Sequence, residues 1–218
     1  MKKIDWQYTF GEILIVIIGI SIAFSLNKCS ENKQNNENQL LYLQNLKDDI
    51  ETDKKNLEAN LQRLNQKSKL LSGTFQYFNP AMPKRDSLLM TNFFRSAEVI
   101  EFSPKTTTHE TLINSGDLKL ISNFELKTSI QEHYRMYQEL QQDYDRMENI
   151  SKEYIADYFI YNVDMDKFRT GQKAFNNEQL LKSIVYSMFG AIGLKIQSTK
   201  EGIASCDQIL SRLEEAIK

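Results

Sequence analysis

The chain has 218 residues, with 27 Lys and Arg, 29 Asp and Glu and a formal net charge of −2. This balance excludes the broad basic field by which proteins attract nucleic acid, so we expect no nucleic-acid partner. Only 8 Gly and 3 Pro occur, and so few chain-breaking residues favour long helices over a β-sandwich or barrel. The two cysteines, Cys29 and Cys206, are far apart and lack the spacing of a metal site.

The first element is an apolar segment that predicts a transmembrane helix at residues 8–27, preceded by a tail at residues 1–7. No charged residue occurs between Ile13 and Leu26. A helix needs about 20 predominantly apolar residues to cross the hydrocarbon core of a bilayer. The segment is therefore just long enough to span a membrane, and the lipid bilayer is the first expected partner.

Three residues of this segment have possible roles within the membrane. Glu12 lies about one turn inside the start, where a carboxylate reaches headgroups and water, although an intramembrane carboxylate can also relay protons or pair with a partner's basic residue. Gly19 and Ala23 form a small-xxx-small pair, which allows two spans to pack closely and is compatible with a homo-oligomer.

Other interpretations of the apolar segment remain open. A basic start at Lys2 and Lys3 and the small residues around Ala23 also resemble a cleaved signal peptide. A lipoprotein signal is rejected because Lys28 precedes Cys29, where a small residue is expected. A buried helix is disfavoured because no other segment is apolar enough to surround it. The slight excess of positive charge before the span predicts an inside N-terminus, a single-pass location in the inner (plasma) membrane and a periplasmic or extracytoplasmic domain.

Residues 28–218 are predicted to form an all-α bundle domain that continues from the transmembrane helix. The first helix has an apolar residue every seven positions. These residues are Leu43, Ile50, Leu57, Leu64, Leu71 and Phe78. Asp53, Asn60 and Lys67 interrupt a neighbouring heptad position, which a two-stranded coiled coil would tolerate poorly. We therefore expect the helix to pack within its own bundle rather than as a dimeric zipper.

Two further amphipathic patterns predict long helices at about residues 123–161 and 177–217. The stripe of the second helix includes Leu126, Ile130, Tyr134, Tyr137, Leu140, Tyr144, Met147, Tyr154 and Tyr158, and we interpret its tyrosines as bundle core. Because the three patterns have similar lengths, they predict an antiparallel bundle of three long helices. The first would rise from the membrane, the second return and the third rise again, which would place the connection at residues 163–176 against the membrane.

Between the first two long helices lies a short helical insert, residues 79–122, which contains all three prolines. Two short helices fit within it, the second opening with a capping box at Thr107 and ending at Gly116. In the antiparallel arrangement the insert joins the helices at the membrane-distal end. Irregular segments on rigid scaffolds often carry function. The candidate partner-binding residues are therefore Phe93, Phe94, Thr108 and His109.

Two separated segments, residues 10–20 (FGEILIVIIGI) and 111–123 (TLINSGDLKLISN), together carry a resemblance. They resemble an uncharacterised, domain-of-unknown-function family of single-span membrane proteins from Bacteroidetes. Members of that family open with a Gly-Glu-Ile apolar span and carry a Ser-Gly-x-Leu-x-Leu-Ile turn before a long helix. The resemblance implies membrane anchoring and a helical domain, and it implies no catalytic residues.

The sequence contains no motif that predicts catalysis, a metal site or a cofactor. Only two histidines occur, and no HExxH, CxxC or phosphate-binding glycine loop is present. The main hypothesis is a non-enzymatic, membrane-anchored interaction or scaffold protein of the cell envelope with a protein partner. The alternative is an extracytoplasmic ligand-sensing bundle that signals through a partner. An enzyme using scattered carboxylates, with His109 and Glu110 among its residues, is the remaining rival.

Overall fold

The computed structural model describes residues 6–218 and confirms the all-α fold class. Residues 1–5 of the expected tail lie outside the described part, and the first helix begins at Trp6. Within residues 6–218, the only pairing of extended chain is a bridge between Val163 and Phe175. The helices are α1 (Trp6–Thr74), α2 (Arg85–Ala97), α3 (Thr107–Asn114), α4 (Phe124–Ile150), α5 (Ala156–Asn162), α6 (Met165–Arg169) and α7 (Glu178–Ile217).

Helix α1 has 69 residues, which gives a length of about 100 Å at 1.5 Å per residue. Its apolar N-terminal part is uncovered: Ile15 is 71% and Phe24 is 74% exposed. Burial begins at Leu43, where other helices first pack against α1. We call the end of the bundle around Leu43 the near end, and the end around Leu71 the far end.

Helix α7 runs antiparallel to α1 along the whole bundle. Lys47 on α1 forms an ion pair with Glu214 (3.1 Å), and one heptad later Lys54 pairs with Asp207 (2.6 Å). Residue numbers therefore increase by seven along α1 where they decrease by seven along α7, as expected for two antiparallel helices. The predicted heptad residues Leu43, Ile50, Leu57, Leu64 and Leu71 are each at most 1% exposed, which confirms that α1 packs within its own bundle.

Helix α4 also runs antiparallel to α7, so it rises in the same direction as α1. The hydroxyl of Tyr137 lies 3.3 Å from Cys206 Sγ, and that of Tyr144 lies 2.9 Å from Thr199 Oγ1. Between these two contacts, residue numbers increase by seven on α4 and decrease by seven on α7. The packed pairs of long helices are therefore antiparallel, but the expectation that the second helix returns towards the membrane was wrong.

The chain returns to the near end through an extended segment, residues 98–106, which we call the strap. The three polar residues that interrupt the heptad of α1 hold it. Lys67 donates to the Glu98 carbonyl, Asn60 donates to the Glu101 carbonyl (2.8 Å), and both Asp53 carboxylate oxygens accept from the Lys105 amide (3.1 and 3.0 Å). The seven-residue step from Glu98 to Lys105, at about 3.3 Å per extended residue, covers about the same distance as the fourteen-residue step from Lys67 to Asp53, at about 1.5 Å per helical residue. The strap can therefore follow α1 with one contact per heptad.

The connection between α5 and α7 lies at the far end, because Ala174 and Phe175 belong to the same buried cluster as Leu71. The expectation that residues 163–176 face the membrane was therefore wrong. A mostly buried ion pair fixes this end: Arg85, at the start of α2, contacts Glu178 at 2.8 Å. The insert at residues 79–122 consequently begins at the far end and finishes at the near end, where Tyr42 donates to Asp117 (2.9 Å).

The second amphipathic pattern is interrupted by a π-helical turn at Ser151–Ile155. A π-turn adds one residue to a helical turn, so the buried position moves by one residue within it. Tyr154, expected on the apolar face, is 53% exposed, whereas Ile155 is 6% and Tyr158 is 1% exposed. Tyr158 was expected on the apolar face and is buried, so the expected period resumes after the π-turn. The side chain of Met147, also expected on this face, lies outside the described part of the structure.

The expected capping box of α3 is absent. Helix α3 has Thr106 as its N-cap residue, without a side-chain capping bond, so Thr107 does not open a capping box. At the start of α4, Asn123 Oδ1 accepts from the Leu126 amide (3.0 Å). The turn after α3 contains Gly116 at φ 75°, the left-handed conformation expected for a glycine just past a helix end.

Candidate functional site

The four candidate partner-binding residues lie in two separate places. Phe93 and Phe94 are on α2 at the far end, whereas Thr108 and His109 are on α3, beyond the strap. Phe93 and Phe94 border one cavity, and His109 borders another. The structure therefore presents two candidate sites where the sequence suggested one insert surface.

The first site is an apolar groove at the far end, which we call the Phe94 groove. Phe93 is 3% exposed and anchors the buried cluster, but Phe94 is 60% exposed. The ring of Phe159 lies between them, with centroid distances of 4.6 Å to Phe93 and 5.0 Å to Phe94. The groove has a volume of about 380 Å³, and the ion pair of Glu148 with Lys152 lies at its rim. Its remaining lining residues are Val99, Ile155 and Ala156.

The second site is a cleft of about 500 Å³ between the strap, α3 and α4, which we call the His109 cleft. The His109 ring stacks on Tyr134, with centroids 4.0 Å apart and an interplanar angle of 11°. Thr108 does not line the cleft; it donates to Asp49 of α1 (2.5 Å) and so ties α3 to the bundle. The lining residues are Ser103, Pro104, Thr106, His109, Glu110, Ile113, Asn114, Tyr134, Tyr137, Gln138 and Gln141.

Both histidines have a buried Nε2 without a hydrogen-bond partner among the described residues. His133 is 2% exposed, and its Nδ1 lies 2.8 Å from Ser205 Oγ. Burial lowers the pKa of His133 to about 4 and also lowers the pKa of His109. Both rings are therefore neutral at pH 7. An unpaired buried polar atom costs about 1–3 kcal/mol, which makes each Nε2 a place where a further hydrogen bond would stabilise the molecule.

The bundle interior next to the His109 cleft contains several titratable groups with shifted pKa values. Burial raises the pKa of Asp53 to about 6 and that of Cys206 to about 11. Burial lowers the pKa values of Lys67 and Lys195 to about 8. Lys195 donates to the carbonyl oxygens of Ile100 (2.6 Å) and Tyr144 (3.2 Å), so it joins α7 to the strap. Asp53, Lys67 and Lys195 hold the strap in place, whereas Cys206 contacts the Tyr137 hydroxyl of α4.

The tyrosine stripe of α4 is bundle core, as predicted, and its hydroxyl groups bond within the protein. Tyr134, Tyr137 and Tyr144 are each at most 4% exposed, and their hydroxyls contact neighbouring strap or α7 groups. Gln138 and Gln141 also line the cleft, which the sequence did not predict. They lie four and seven positions after Tyr134, so the helical period would have revealed them once Tyr134 had been placed beside α3.

The three candidate residues of the apolar segment lie on α1, away from the bundle. Glu12 and Ala23 are exposed, and a Cβ added at Gly19 would meet nothing within 4 Å. In the described part of the chain, one helix is long and apolar enough to cross a membrane, and none of its most apolar stretch is buried. Among those same residues, no three His, Cys, Asp or Glu side chains are grouped to hold a metal ion.

A family model, described as a family of unknown function (DUF6090), matches residues 12–154. The chain belongs to the DUF6090 family. The matched DUF6090 region takes in most of the apolar segment, the strap, α2, α3 and α4. It therefore contains every lining residue of the His109 cleft, but it ends before Phe159 of the Phe94 groove. No curated protein matches the chain. No solved structure matches it either.

Proposed function

We propose that the chain is a single-pass, membrane-anchored interaction or scaffold protein of the cell envelope that acts without catalysis. One observation carries the proposal: α1 is continuous from an exposed apolar segment into the core of a bundle. Residues 28–42 add about 22 Å of helix between that segment and the near end. The bundle would thus be held at a set distance from the bilayer, with its far end presented to a partner.

The Phe94 groove is the surface that we propose for a protein partner. A ring that is 60% exposed beside a half-open apolar groove costs little to desolvate and offers a contact area of the kind that dominates interfaces. The far end also exposes Tyr154, Ile160 and Tyr161. An apolar segment of another envelope protein would bury Phe94 against Phe159.

A photo-cross-linking side chain at position 94, in cells that make the full-length chain, tests this surface. We expect one discrete protein adduct at position 94 and none from the same side chain at Lys55, which is exposed on α1. Phe159→Ala should weaken the adduct, because it removes the ring that positions residue 94. Equal labelling at positions 94 and 55, or no adduct at either, would reject the groove as a partner surface.

The proposed location is the inner (plasma) membrane, with the bundle in the periplasm. Cysteine accessibility tests it, provided that the probe is a new exposed residue, since Cys206 is buried and unreactive to a bulky reagent. With Lys200→Cys in a Cys29→Ser chain, we expect a membrane-impermeant maleimide to label cells whose outer envelope alone is permeabilised. Labelling only after complete lysis would place the bundle in the cytoplasm.

The contact between Ser205 and His133 resembles two members of a hydrolytic triad, but its geometry disfavours catalysis. In a hydrolytic triad the second ring nitrogen is oriented by a carboxylate. Here Nε2 of His133 has no hydrogen-bond partner among the described residues, and a pKa of about 4 makes this imidazole a weak base. The ligand-sensing function remains a second candidate, because the His109 cleft has a volume within the range of small-molecule sites.

A further inference from the structure

The chemistry of the His109 cleft restricts the kind of ligand it can take. Its side chains include three amides (Asn114, Gln138 and Gln141) and two hydroxyls (Ser103 and Thr106). The lining contains no lysine or arginine, and its one charged side chain is the Glu110 carboxylate. An anion would therefore meet repulsion without a compensating cation, whereas a neutral molecule rich in hydrogen-bonding groups would find many partners.

The unpaired nitrogen of His109 narrows the ligand class further. The pKa of His109 is lowered by burial, so its ring is neutral at pH 7, and Nε2 is a donor in one tautomer and an acceptor in the other. A hydroxyl both donates and accepts, so it satisfies either tautomer. His109 lines the cleft, but its Nε2 is closed to solvent in the unliganded chain. A ligand hydroxyl therefore bonds to Nε2 only once the imidazole ring turns towards the cleft.

The cleft also has apolar surface between its polar groups. Ile113 and Pro104 line it from α3 and the strap, and the Tyr134 ring lines it from α4. Sugar rings have the matching pattern, with C–H groups on their faces and hydroxyls around their edges. We propose that the His109 cleft binds a neutral, hydroxyl-rich small molecule of the sugar or polyol class, with His109 and Gln138 as hydrogen-bonding residues. This inference rests on the second candidate function and not on the partner of the Phe94 groove.

Binding can be measured on the full-length chain in phosphatidylcholine nanodiscs, which avoids detergents with sugar headgroups. The probes are glucose, N-acetylglucosamine and inositol, with glucosamine as a cationic sugar and citrate and phosphate as anions. We expect at least one neutral probe to bind with Kd below about 10 mM and to raise the melting temperature. The two anions should do neither. If glucosamine bound most tightly of all the probes, the proposal that the cleft prefers a neutral ligand would be overturned.

His109→Phe separates hydrogen bonding at Nε2 from stacking, because phenylalanine keeps a ring against Tyr134. We expect this change to weaken binding about tenfold, as does the loss of one hydrogen bond of ordinary strength. The control is Glu132→Gln, which changes an exposed residue of a different cleft and should leave the affinity unchanged. Failure of every neutral probe to bind, or equal affinity in the wild type and His109→Phe, would overturn the proposal. Neither result would bear on membrane anchoring or on the cross-link at position 94.

Discussion

Replacing Gly202 by valine is expected to lower the free energy of unfolding by about 3 kcal/mol. Gly202 lies on α7 where three helices meet, and a Cβ there would be 3.2 Å from both Leu140 Cδ2 and Leu57 Cδ1. The two further methyl groups of valine add to this crowding, so the side chains of Leu57 and Leu140 or their helices must move. Urea unfolding of the wild type and the variant, followed by circular dichroism, measures the difference.

Gly190→Val is the matched control for this substitution on the same helix. Gly190 is exposed, and a Cβ added there meets nothing within 4 Å. The valine should therefore leave stability unchanged or raise it by a few tenths of a kcal/mol, since glycine is the poorer helix former. Equal destabilisation at positions 190 and 202 would contradict the close approach of α1, α4 and α7.

The second large effect is a pH-dependent contribution from His133. Its pKa is about 4 in the folded chain and about 6.5 when unfolded, so between these values only the unfolded state binds the proton. His133 therefore stabilises the fold fully above pH 6.5, and about 3 kcal/mol of this is lost as the pH falls to 4. Asp53 acts in the opposite direction, because its raised pKa makes its burial less costly as the pH falls through 6.

His133→Gln isolates this contribution from that of Asp53. Its stability relative to the wild type should rise by about 3 kcal/mol between pH 7 and pH 4, whatever the offset at pH 7, because glutamine does not titrate. His109 also disfavours the charged form of His133, and Glu132 and Arg212 line the same cleft as His133. A difference between variant and wild type that stays constant with pH would show that His133 is accessible to protons in the folded chain.

The sequence predicted the helices better than it predicted their directions. The heptad from Leu43 to Leu71 identified the buried face of α1, and Asp53, Asn60 and Lys67 were recognised as breaks in it. Their structural role could not be inferred from the sequence, because they bind backbone groups of the strap that lie between 31 and 52 residues away along the chain. Helix patterns say nothing about such side-chain bonds to extended chain. The direction of α4 depends on them, because the strap returns the chain to the near end.

For the candidate sites too, the sequence predicted individual residues but not the distant residues that pack against them. Phe94 and His109 were named from the irregular composition of the insert, which is a local property. The partners that give each residue a cavity, Phe159 on α5 and Tyr134 on α4, come from helices whose placement depends on the strap and the π-turn. The π-turn leaves little trace in the amphipathic pattern, because it buries Ile155 in place of Tyr154 while Tyr158 beyond it stays on the expected face.

Alkaline carbonate extraction of cell membranes tests membrane anchoring by α1 most directly. The full-length chain is compared with a variant that retains residues 28–218, which keeps every buried core residue from Leu43 onwards. We predict that the full-length chain stays in the membrane pellet at its uncleaved mass, and that the shortened chain is recovered in the supernatant as a folded helical protein. Recovery of the full-length chain in the supernatant, or of a chain cleaved after the apolar segment, would contradict anchoring by α1.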